Sequence, residues 1–195
     1  MNKTVRIQRF EKVLDIISNY NIRSIIEFGC GDGKFIPYIK SIHNLMRIAV
    51  IDKDKNKIHK IKKANEDIEC YCTSFLEYSK DFNGFDCIVA IEVIEHLSSD
   101  EIQSFIEIVF GKLKPQLVIL TTPNIEYNVN YPVLYNGLRH NTHLFEFSPF
   151  ELSNWGNKIV TLFNEYDFYT DFCDINKSSQ IIVFTRSKRN ESRNC

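Results

Sequence analysis

Apolar residues in this chain follow two alternating patterns, and the alternation limits the folds that the chain can adopt. Short apolar runs, such as RSIIEFG and QLVILTT, are typical of strands in the interior of a sheet. Between them, segments such as FEKVLDIISNY repeat apolar residues at helical spacing, which is typical of amphipathic helices. This repeating strand and helix order predicts an α/β fold with a mainly parallel sheet and helices on both faces.

The pattern continues along nearly the whole chain without an internal repeat. We predict helices at residues 10–20, 34–42, 53–63, 99–113 and 148–159, and strands at residues 23–29, 46–52, 68–73, 84–91, 116–122, 166–172 and 180–186. A long polar and aromatic loop is expected from Pro123 to about Phe147. We therefore expect one domain at residues 1–188 and a disordered polar tail at residues 189–195.

Composition narrows the class of protein further. A chain of 195 residues with 44% hydrophobic residues can bury one core, and its formal net charge of -1 gives no global reason to expect nucleic acid. None of the six cysteines forms a C-x-x-C pair, which argues against a zinc site. No segment predicts a signal peptide or a membrane span, so we expect a soluble, cytoplasmic protein with no membrane partner.

The stretch EFGCGDG, at residues 27–33, follows the first predicted strand and contains three glycines. Such glycines allow a tight turn and let a ligand approach the main chain at the carboxyl edge of the sheet, where open α/β folds bind their ligands. Asp52 ends the next strand, at a position suited to binding ribose hydroxyls. The alternatives are a plain strand-to-helix turn and an aspartate that only caps the end of a strand.

The spacing E-x-G-x-G-x-G, with an acid about 20 residues further on, resembles the S-adenosylmethionine loop of Rossmann-like class I methyltransferases. It departs from the dinucleotide pattern G-x-G-x-x-G in its last glycine. The resemblance implies that the loop lines the methionine and sulfonium end of the cofactor, Asp52 the ribose, and the residues after the third strand the adenine. The implied cofactor-binding residues are Glu27, Gly29, Gly31, Asp32, Asp52, Thr73 and Ser74.

A second group of polar residues lies in AIEVIEHL, directly after the fourth predicted strand. Glu92, Glu95 and His96 stand at positions i, i+3 and i+4, so on a helix they share one face at the carboxyl edge of the sheet. Two carboxylates and an imidazole in one place favour a divalent metal ion between them. The alternative is a helix cap beneath the cofactor, as in many class I methyltransferases that use no metal.

Two later stretches, TTPNIEYN and LRHNTHLFEF, bring further imidazoles to the same edge of the sheet. Together with E-x-x-E-H, they resemble the HEN family of small-RNA 3′-terminal 2′-O-methyltransferases across about residues 25–186. The resemblance implies that His143 is the fourth metal ligand and His140 only its neighbour. It also implies substrate contacts from Arg139 and Asn124, because an arginine in this motif lies near the substrate.

The chain departs from the family motif R-x-x-D-H-x-F-E-W at two positions. Thr142 stands where the motif has aspartate, and Phe147 stands where it has tryptophan. The lost aspartate leaves the orientation of His143 without a sequence explanation. Beyond the motif, Ser148 and Pro149 are well suited to be the N-cap and the first residue of the following helix.

The resemblance implies metal-dependent methylation, from S-adenosylmethionine, of the 2′-hydroxyl at the 3′ end of small RNAs. The implied metal ligands and catalytic residues are Glu92, Glu95, His96 and His143, with Mg²⁺ or Mn²⁺ as the ion. Only a terminal ribose offers two adjacent hydroxyls to a metal. A small-RNA-carrying or RNA-repair partner protein is also expected, because the chain has no separate RNA-binding domain.

Two other functions remain open from sequence. The first is a metal-free class I methyltransferase that acts on a small molecule or a protein, with E-x-x-E-H as part of the cofactor pocket. The second is a methyltransferase fold used as a binding module without catalysis, which the intact glycine loop disfavours.

Overall fold

Seven strands form one twisted sheet in the order β3-β2-β1-β4-β5-β7-β6. The computed structural model describes residues 4–187, so the predicted tail at residues 189–195 lies outside the described residues. The strands are β1 Ser24–Phe28, β2 Arg47–Asp52, β3 Glu69–Cys72, β4 Cys87–Ile91, β5 Leu117–Pro123, β6 Tyr166–Phe172 and β7 Ser179–Arg186. The first five are parallel, and β7 runs antiparallel to both β5 and β6. The predicted mainly parallel, seven-stranded sheet is confirmed.

Five helices pack on the two faces of this sheet. They are α1 Val5–Ser18, α2 Ile36–Lys40, α3 Lys55–Ala64, α4 Ser99–Ile106 and α5 Pro149–Leu162. The helices α1, α2 and α3 cover one face, and α4 and α5 cover the other, because alternate strand residues point to opposite sides. No helix within residues 4–187 combines the length and the apolar composition that a membrane crossing requires.

Local sequence explains how α5 begins. Ser148 is its N-cap and accepts a hydrogen bond from the main-chain N–H of Glu151, whose side chain accepts in turn from the Ser148 N–H. Pro149 occupies the first helical turn, where its missing N–H costs nothing. Both predicted roles are confirmed.

Two segments differ from the regular elements that the sequence predicts. The predicted helix at residues 99–113 is α-helical only to Ile106 and continues as a π-helical segment at Glu107–Leu113. The predicted long loop contains a 3-10 helix at Ile125–Asn130. Neither departure follows from apolar periodicity, because segments of 7 and 6 residues are too short to show a period of their own.

The carboxyl ends of the parallel strands meet at one edge of the sheet, which places the chemistry-bearing segments side by side. The glycine loop follows β1, Asp52 ends β2, and the segment with Glu95 and His96 follows β4. The long loop leaves β5 at the same edge and returns to pair Asn124 with Phe147. This edge is where open α/β sheets bind their ligands.

Candidate active site

The glycine loop after β1 depends on left-handed backbone conformations. Gly29 has a φ of 69° and Gly31 a φ of 54°, which side chains rarely allow. A Cβ added at Gly29 would lie 2.7 Å from a methyl carbon of Val93, so the loop packs closely there. A Cβ at Gly31 would meet nothing within 4 Å. Gly31 therefore leaves open space over the main chain where a ligand can lie.

Asp52 fixes the shape of this loop. Its Oδ2 accepts a hydrogen bond from the Gly31 N–H at 2.8 Å, and its Oδ1 accepts from the Asp54 N–H at 2.9 Å. Each carboxylate oxygen has a further lone pair that a ribose hydroxyl could use. The structure thus shows that Asp52 links the end of β2 to the glycine loop. Ribose binding by Asp52 stays a prediction.

Thr73 and Ser74 directly follow β3, beside the end of β2. The Thr73 hydroxyl donates to Glu77 at 2.9 Å, and the Ser74 hydroxyl accepts from the Leu76 N–H at 3.2 Å. These bonds hold the turn that follows the strand. Their predicted place near an adenine agrees with their position at this edge, and it stays a prediction.

A cavity of about 280 Å³ opens between the glycine loop and α1. It carries charges of both signs, and its charged lining includes Glu27, Asp32, Glu92, Arg6, Arg9 and Lys34. The cavity lining also contains four of the residues predicted to bind the cofactor, namely Glu27, Gly29, Gly31 and Asp32. A lining with charges of both signs suits a ligand that carries a cationic group and an anionic group close together.

Glu27 is the buried acid of this cavity. It lies on β1, on the face that α1 covers, and is only 3% exposed. Its Oε2 has no hydrogen-bond partner within residues 4–187. Burial, and then the charge of Asp52, raises the pKa of Glu27 to about 8. A buried carboxylate with an unpartnered oxygen at a cavity wall is suited to bind a ligand cation.

A second polar group lies further along the same edge and joins two distant segments. Glu95 and His96 lie on a 3-10 turn at Ile94–His96, and His143 lies on the loop between β5 and α5. One ligand atom from each of the three lies within 4.8 Å of the others. The loop is held against the turn by a hydrogen bond from the Leu144 N–H to the Glu95 carbonyl at 2.8 Å. We call this set the Glu95–His96–His143 group.

Glu95 is the fully buried acid of the group. Its Oε2 accepts from the Thr122 hydroxyl at 3.2 Å, whereas its Oε1 has no hydrogen-bond partner within the described residues. Burial, and then the charge of Glu92, raises the pKa of Glu95 well above its usual value. This carboxyl therefore lacks the positive partner that its charged form needs.

Each of the two imidazoles is held through its Nδ1. His96 Nδ1 lies 3.1 Å from the Thr142 carbonyl oxygen and 3.0 Å from the Thr142 hydroxyl, and a proton on Nδ1 would satisfy the carbonyl, which can only accept, and leave Nε2 of a neutral ring with a lone pair. The same reasoning applies to His143, because its Nδ1 lies 2.5 Å from Glu146 Oε1. Partial burial lowers the pKa of His96, although the hydrogen bond to Thr142 opposes the shift. A neutral imidazole is the form that binds metal ions.

Glu146 is the hydrogen-bond partner that orients the His143 ring. It is 5% exposed and also accepts from the Arg139 N–H at 2.8 Å and the Asn128 side chain at 2.7 Å. Although burial opposes it, hydrogen bonds from His143, Arg139 and Asn128 lower the pKa of Glu146. The ionised carboxylate fixes the ring of His143. Sequence reasoning missed this role, although the i, i+3 spacing to His143 was visible.

The predicted position of Glu92 on a helical face is wrong. The strand β4 ends at Ile91, Glu92 has a φ of 54°, and the 3-10 turn begins only at Ile94. Its carboxylate accepts from Ser179 at 2.9 Å and Thr121 at 3.1 Å and lies 3.0 Å from an Arg9 nitrogen. Glu92 therefore faces the cavity in this structure and lies outside the Glu95–His96–His143 group.

His140 lies beside the group without entering it. Its Nδ1 is 2.8 Å from the Thr142 hydroxyl, and its ring centroid is 5.6 Å from that of His143. The ring is exposed to solvent. This placement agrees with the prediction that His140 is a neighbour of the ligand set.

The structure shows what holds Arg139 and Asn124 in place, and their contacts with substrate stay a prediction. The Arg139 guanidinium donates to Asn128 at 2.9 Å and to the Asn124 carbonyl at 2.6 Å, and its side chain is 10% exposed. The Asn124 amide donates to the Lys177 carbonyl at 3.0 Å and accepts from the Glu126 N–H at 3.1 Å. Both residues therefore help to hold the long loop together, and these bonds use two of the five N–H groups of Arg139.

Comparison with known proteins places these features in a family. The methyltransferase domain family matches residues 6–159 of the chain. The small RNA 2′-O-methyltransferase of Rattus norvegicus is 31% identical over 171 residues, which cover 80% of this chain and 43% of the relative. That of Schizosaccharomyces pombe is 26% identical over an alignment of 238 residues, gaps included, which covers 98% of this chain and 63% of the relative. The chain spans about half the length of the curated relatives it matches.

A solved structure shares the whole architecture. The methyltransferase domain of bacterial CtHen1 superposes with a TM-score of 0.80 at 27% sequence identity, over 93% of this chain and 100% of that domain. The match includes the antiparallel pair β6 and β7 as well as the parallel strands, since it covers nearly the whole chain. The resemblance inferred from the motifs is confirmed.

Proposed function

Because this chain belongs to the methyltransferase domain family, and within it to the HEN-type small-RNA methyltransferases, we propose that it methylates the 2′-hydroxyl at the 3′ end of small RNAs. The observation that carries the proposal is the Glu95–His96–His143 group, which the fold assembles from two distant segments beside the glycine loop. A methyltransferase that only binds its cofactor at this edge has no need of such a group.

The methyl donor is S-adenosylmethionine, and the cavity beside the glycine loop receives its methionine end. Glu27 offers an unpartnered carboxylate oxygen to the ammonium, and the cations of the cavity wall suit the carboxylate. The open surface over Gly31 lets the donor lie against the main chain. Asp52, Thr73 and Ser74 continue along the same edge toward the ribose and adenine.

A divalent cation fits the Glu95–His96–His143 group. Glu95 Oε1 has no hydrogen-bond partner within the described residues, and a cation would satisfy it. The hydrogen bonds to Thr142 and Glu146 leave one nitrogen of each imidazole free to ligate. Mixed oxygen and nitrogen ligands suit Mn²⁺ and also admit Mg²⁺. When bound, the ion supplies Lewis-acid activation of a ribose hydroxyl.

The protein's own residues hold the reactants in line. The 2′ oxygen forms a bond to the methyl carbon as the carbon–sulfur bond breaks, S-adenosylhomocysteine is released, and the hydroxyl proton passes to solvent at the exposed side of the group. Glu146 and Thr142 fix the imidazole rings, so the group is ordered before substrate arrives. The adjacent 2′ and 3′ hydroxyls of a terminal ribose select the 3′ end.

A partner protein that presents the RNA is part of this proposal. The net charge of -1 gives no strong general attraction for RNA. The chain also spans only about half of its curated relatives, so RNA selection is expected to draw on additional protein surface. A small-RNA-carrying or RNA-repair protein fits this role.

The test is methyl transfer from labelled S-adenosylmethionine to a short RNA, with Mn²⁺ or with chelator. We expect label on RNA with a 3′-terminal diol and none on RNA with a 2′-deoxy or 3′-phosphate end. No RNA should be labelled when chelator replaces Mn²⁺. The variant His143→Ala should lose transfer, whereas Glu126→Gln, an exposed acid on the same loop, should keep it. Transfer that is independent of metal, or absent with every RNA, would favour a small-molecule or protein substrate.

A further inference from the structure

Arg9 lies in the wall of the cavity beside the glycine loop, which we call the donor cavity, and forms an ion pair with Glu92. It lies on α1, lines the cavity, and has a side chain that is 13% exposed. Its Nη2 lies 3.0 Å from Glu92 Oε2, and its Nε donates to the Ser179 hydroxyl at 3.2 Å. These contacts hold the guanidinium against Glu92 and Ser179. A carboxylate that enters the cavity therefore meets a guanidinium that Glu92 already engages.

Glu92 stands between the two polar regions. Its N–H donates to the Thr121 carbonyl at 3.0 Å, which fixes its main chain at the end of β4. Thr121 binds the Glu92 carboxylate, and the next residue, Thr122, binds the Glu95 carboxylate. Two neighbouring residues of β5 thus contact the two carboxylates.

The donor carries a group that can replace Glu92 on Arg9. S-adenosylmethionine and S-adenosylhomocysteine both carry a carboxylate at the methionine end, and a guanidinium binds one carboxylate best through two parallel hydrogen bonds. Glu92 and the donor therefore compete for Arg9. A metal at the Glu95–His96–His143 group would attract the displaced carboxylate, since an oxygen ligand with full charge is preferred by hard cations.

We propose that Arg9 is a positioning residue that exchanges the Glu92 carboxylate for the donor carboxylate, and that this exchange releases Glu92 to join Glu95, His96 and His143 around the metal. The inference rests on the proposed function for the identity of donor and metal. It makes metal binding and donor binding mutually dependent, because each favours the same position of Glu92. It also reconciles the ligand role that the motif implies for Glu92 with the ion pair that Glu92 forms with Arg9.

The experiment measures Mn²⁺ affinity by calorimetry, with and without saturating S-adenosylhomocysteine. In the unmodified chain we expect S-adenosylhomocysteine to tighten Mn²⁺ binding about tenfold. Decarboxylated S-adenosylhomocysteine, which keeps the amine and the adenosine, should give no tightening. In Arg9→Gln the tightening should disappear, while Mn²⁺ alone binds at least as well as before, because Glu92 loses its charged partner and keeps only the hydroxyl contacts of Ser179 and Thr121.

Lys12→Gln is the matched control, because Lys12 is a cation on α1 that pairs with an acid, Asp171, at 2.6 Å and does not line the cavity. It should keep the dependence of Mn²⁺ affinity on S-adenosylhomocysteine. Equal tightening by the decarboxylated compound, tightening that survives in Arg9→Gln, or no Mn²⁺ binding in the unmodified chain would each overturn the inference. The decarboxylated compound tests it even where a variant fails to fold.

Failure of the proposed function gives a different result. If RNA is not methylated while the linked binding of Mn²⁺ and S-adenosylhomocysteine is intact, the RNA substrate is wrong and the role of Arg9 stands. If RNA is methylated in a metal-dependent reaction while the two ligands bind independently, the role of Arg9 is wrong and the proposed function stands.

Discussion

The donor cavity and the Glu95–His96–His143 group lie at one edge of the sheet, yet they are built in different ways. The cavity combines consecutive residues of the glycine loop, shaped by left-handed glycines and braced by Asp52, with side chains from α1, α3 and the end of β4. The other group combines a turn after β4 with a residue from a distant loop. One site is built partly on local main-chain geometry, and the other is an assembly of side chains.

Both regions contain a buried acid with one unpartnered oxygen, but the surroundings of the two acids differ. Glu27 faces a cavity that also presents guanidinium and ammonium groups. Glu95 lies in a group with two imidazoles whose Nδ1 atoms contact Thr142 and Glu146. The first environment suits a zwitterionic organic ligand, and the second suits a metal ion. Similar buried carboxyls thus have neighbours that suit different ligands.

The largest expected effect comes from Glu95→Gln. It removes the charge that a cation would neutralise, and we expect Mn²⁺ affinity to fall more than about 100-fold, since a ligand matters more than the residue that orients it. The metal-free variant should be at least as stable as the unmodified chain, because a buried unpaired carboxyl is replaced by a neutral amide. Mn²⁺ titration and thermal unfolding without metal check both parts. A large loss of metal-free stability would contradict this assignment.

Glu146→Gln should weaken Mn²⁺ binding about tenfold, because a neutral amide orients His143 less firmly than a carboxylate does. S-adenosylhomocysteine binding should be unchanged, since Glu146 lies outside the donor cavity. Separate titrations with the two ligands measure this. Glu126→Gln serves as the control on the same loop, and equal effects from both variants would show that Glu146 only stabilises the loop.

Glu27→Gln should affect the opposite region. We expect S-adenosylhomocysteine to bind about tenfold more weakly, because the charge-assisted hydrogen bond to the ammonium is lost. Mn²⁺ affinity in the absence of donor should not change. If the variant instead binds Mn²⁺ more weakly and S-adenosylhomocysteine as before, the roles that we give to Glu27 and Glu95 would have to be exchanged.

The same variant tests the pH dependence of stability. The pKa of Glu27 is about 8 in the folded chain against an ordinary 4.5, so the folded state keeps a proton that the unfolded state releases. Its stabilising contribution is complete below pH 4.5 and is lost as pH rises toward 8, by up to about 1.4 kcal/mol per pH unit. Urea unfolding across this range should show a shallower decline for Glu27→Gln. An unchanged slope would mean that Glu27 has an ordinary pKa.

The smallest effect is expected from His140→Ala. The ring is exposed and touches the Thr142 hydroxyl, not the centre of the group. Mn²⁺ affinity should stay within about twofold of the unmodified value, as for most surface substitutions. A loss comparable to that of His143→Ala would make His140 a ligand and would contradict the placement seen here.

Much of the fold could be predicted from sequence because its signals are local. Strand and helix periodicity located the elements from β1 to β7, and Ser148 and Pro149 marked the start of α5. The details that failed were departures from regular geometry. A strand that turns left-handed at Glu92 and a π-helical end after Ile106 arise from packing and do not alter the apolar pattern.

The candidate site was predicted less evenly. The motifs identified Glu95, His96 and His143, which the structure brings together. They did not show that Glu146 is the partner of the His143 ring, because that role depends on how the loop closes. They also implied substrate contacts from Arg139 and Asn124. The structure adds that both residues hold the loop together, and their contacts with substrate stay a prediction.

The sequence by itself determined the α/β architecture, the glycine loop and the residue types available for binding a nucleoside donor and a metal, because these depend on periodicity, backbone freedom and donor chemistry. Only the tertiary structure decided which of those residues meet. Glu92 turns to Arg9 while Glu95 meets two imidazoles. The physical reason is that a side chain's partners are fixed by the crossing of distant segments at one sheet edge, which no local pattern encodes.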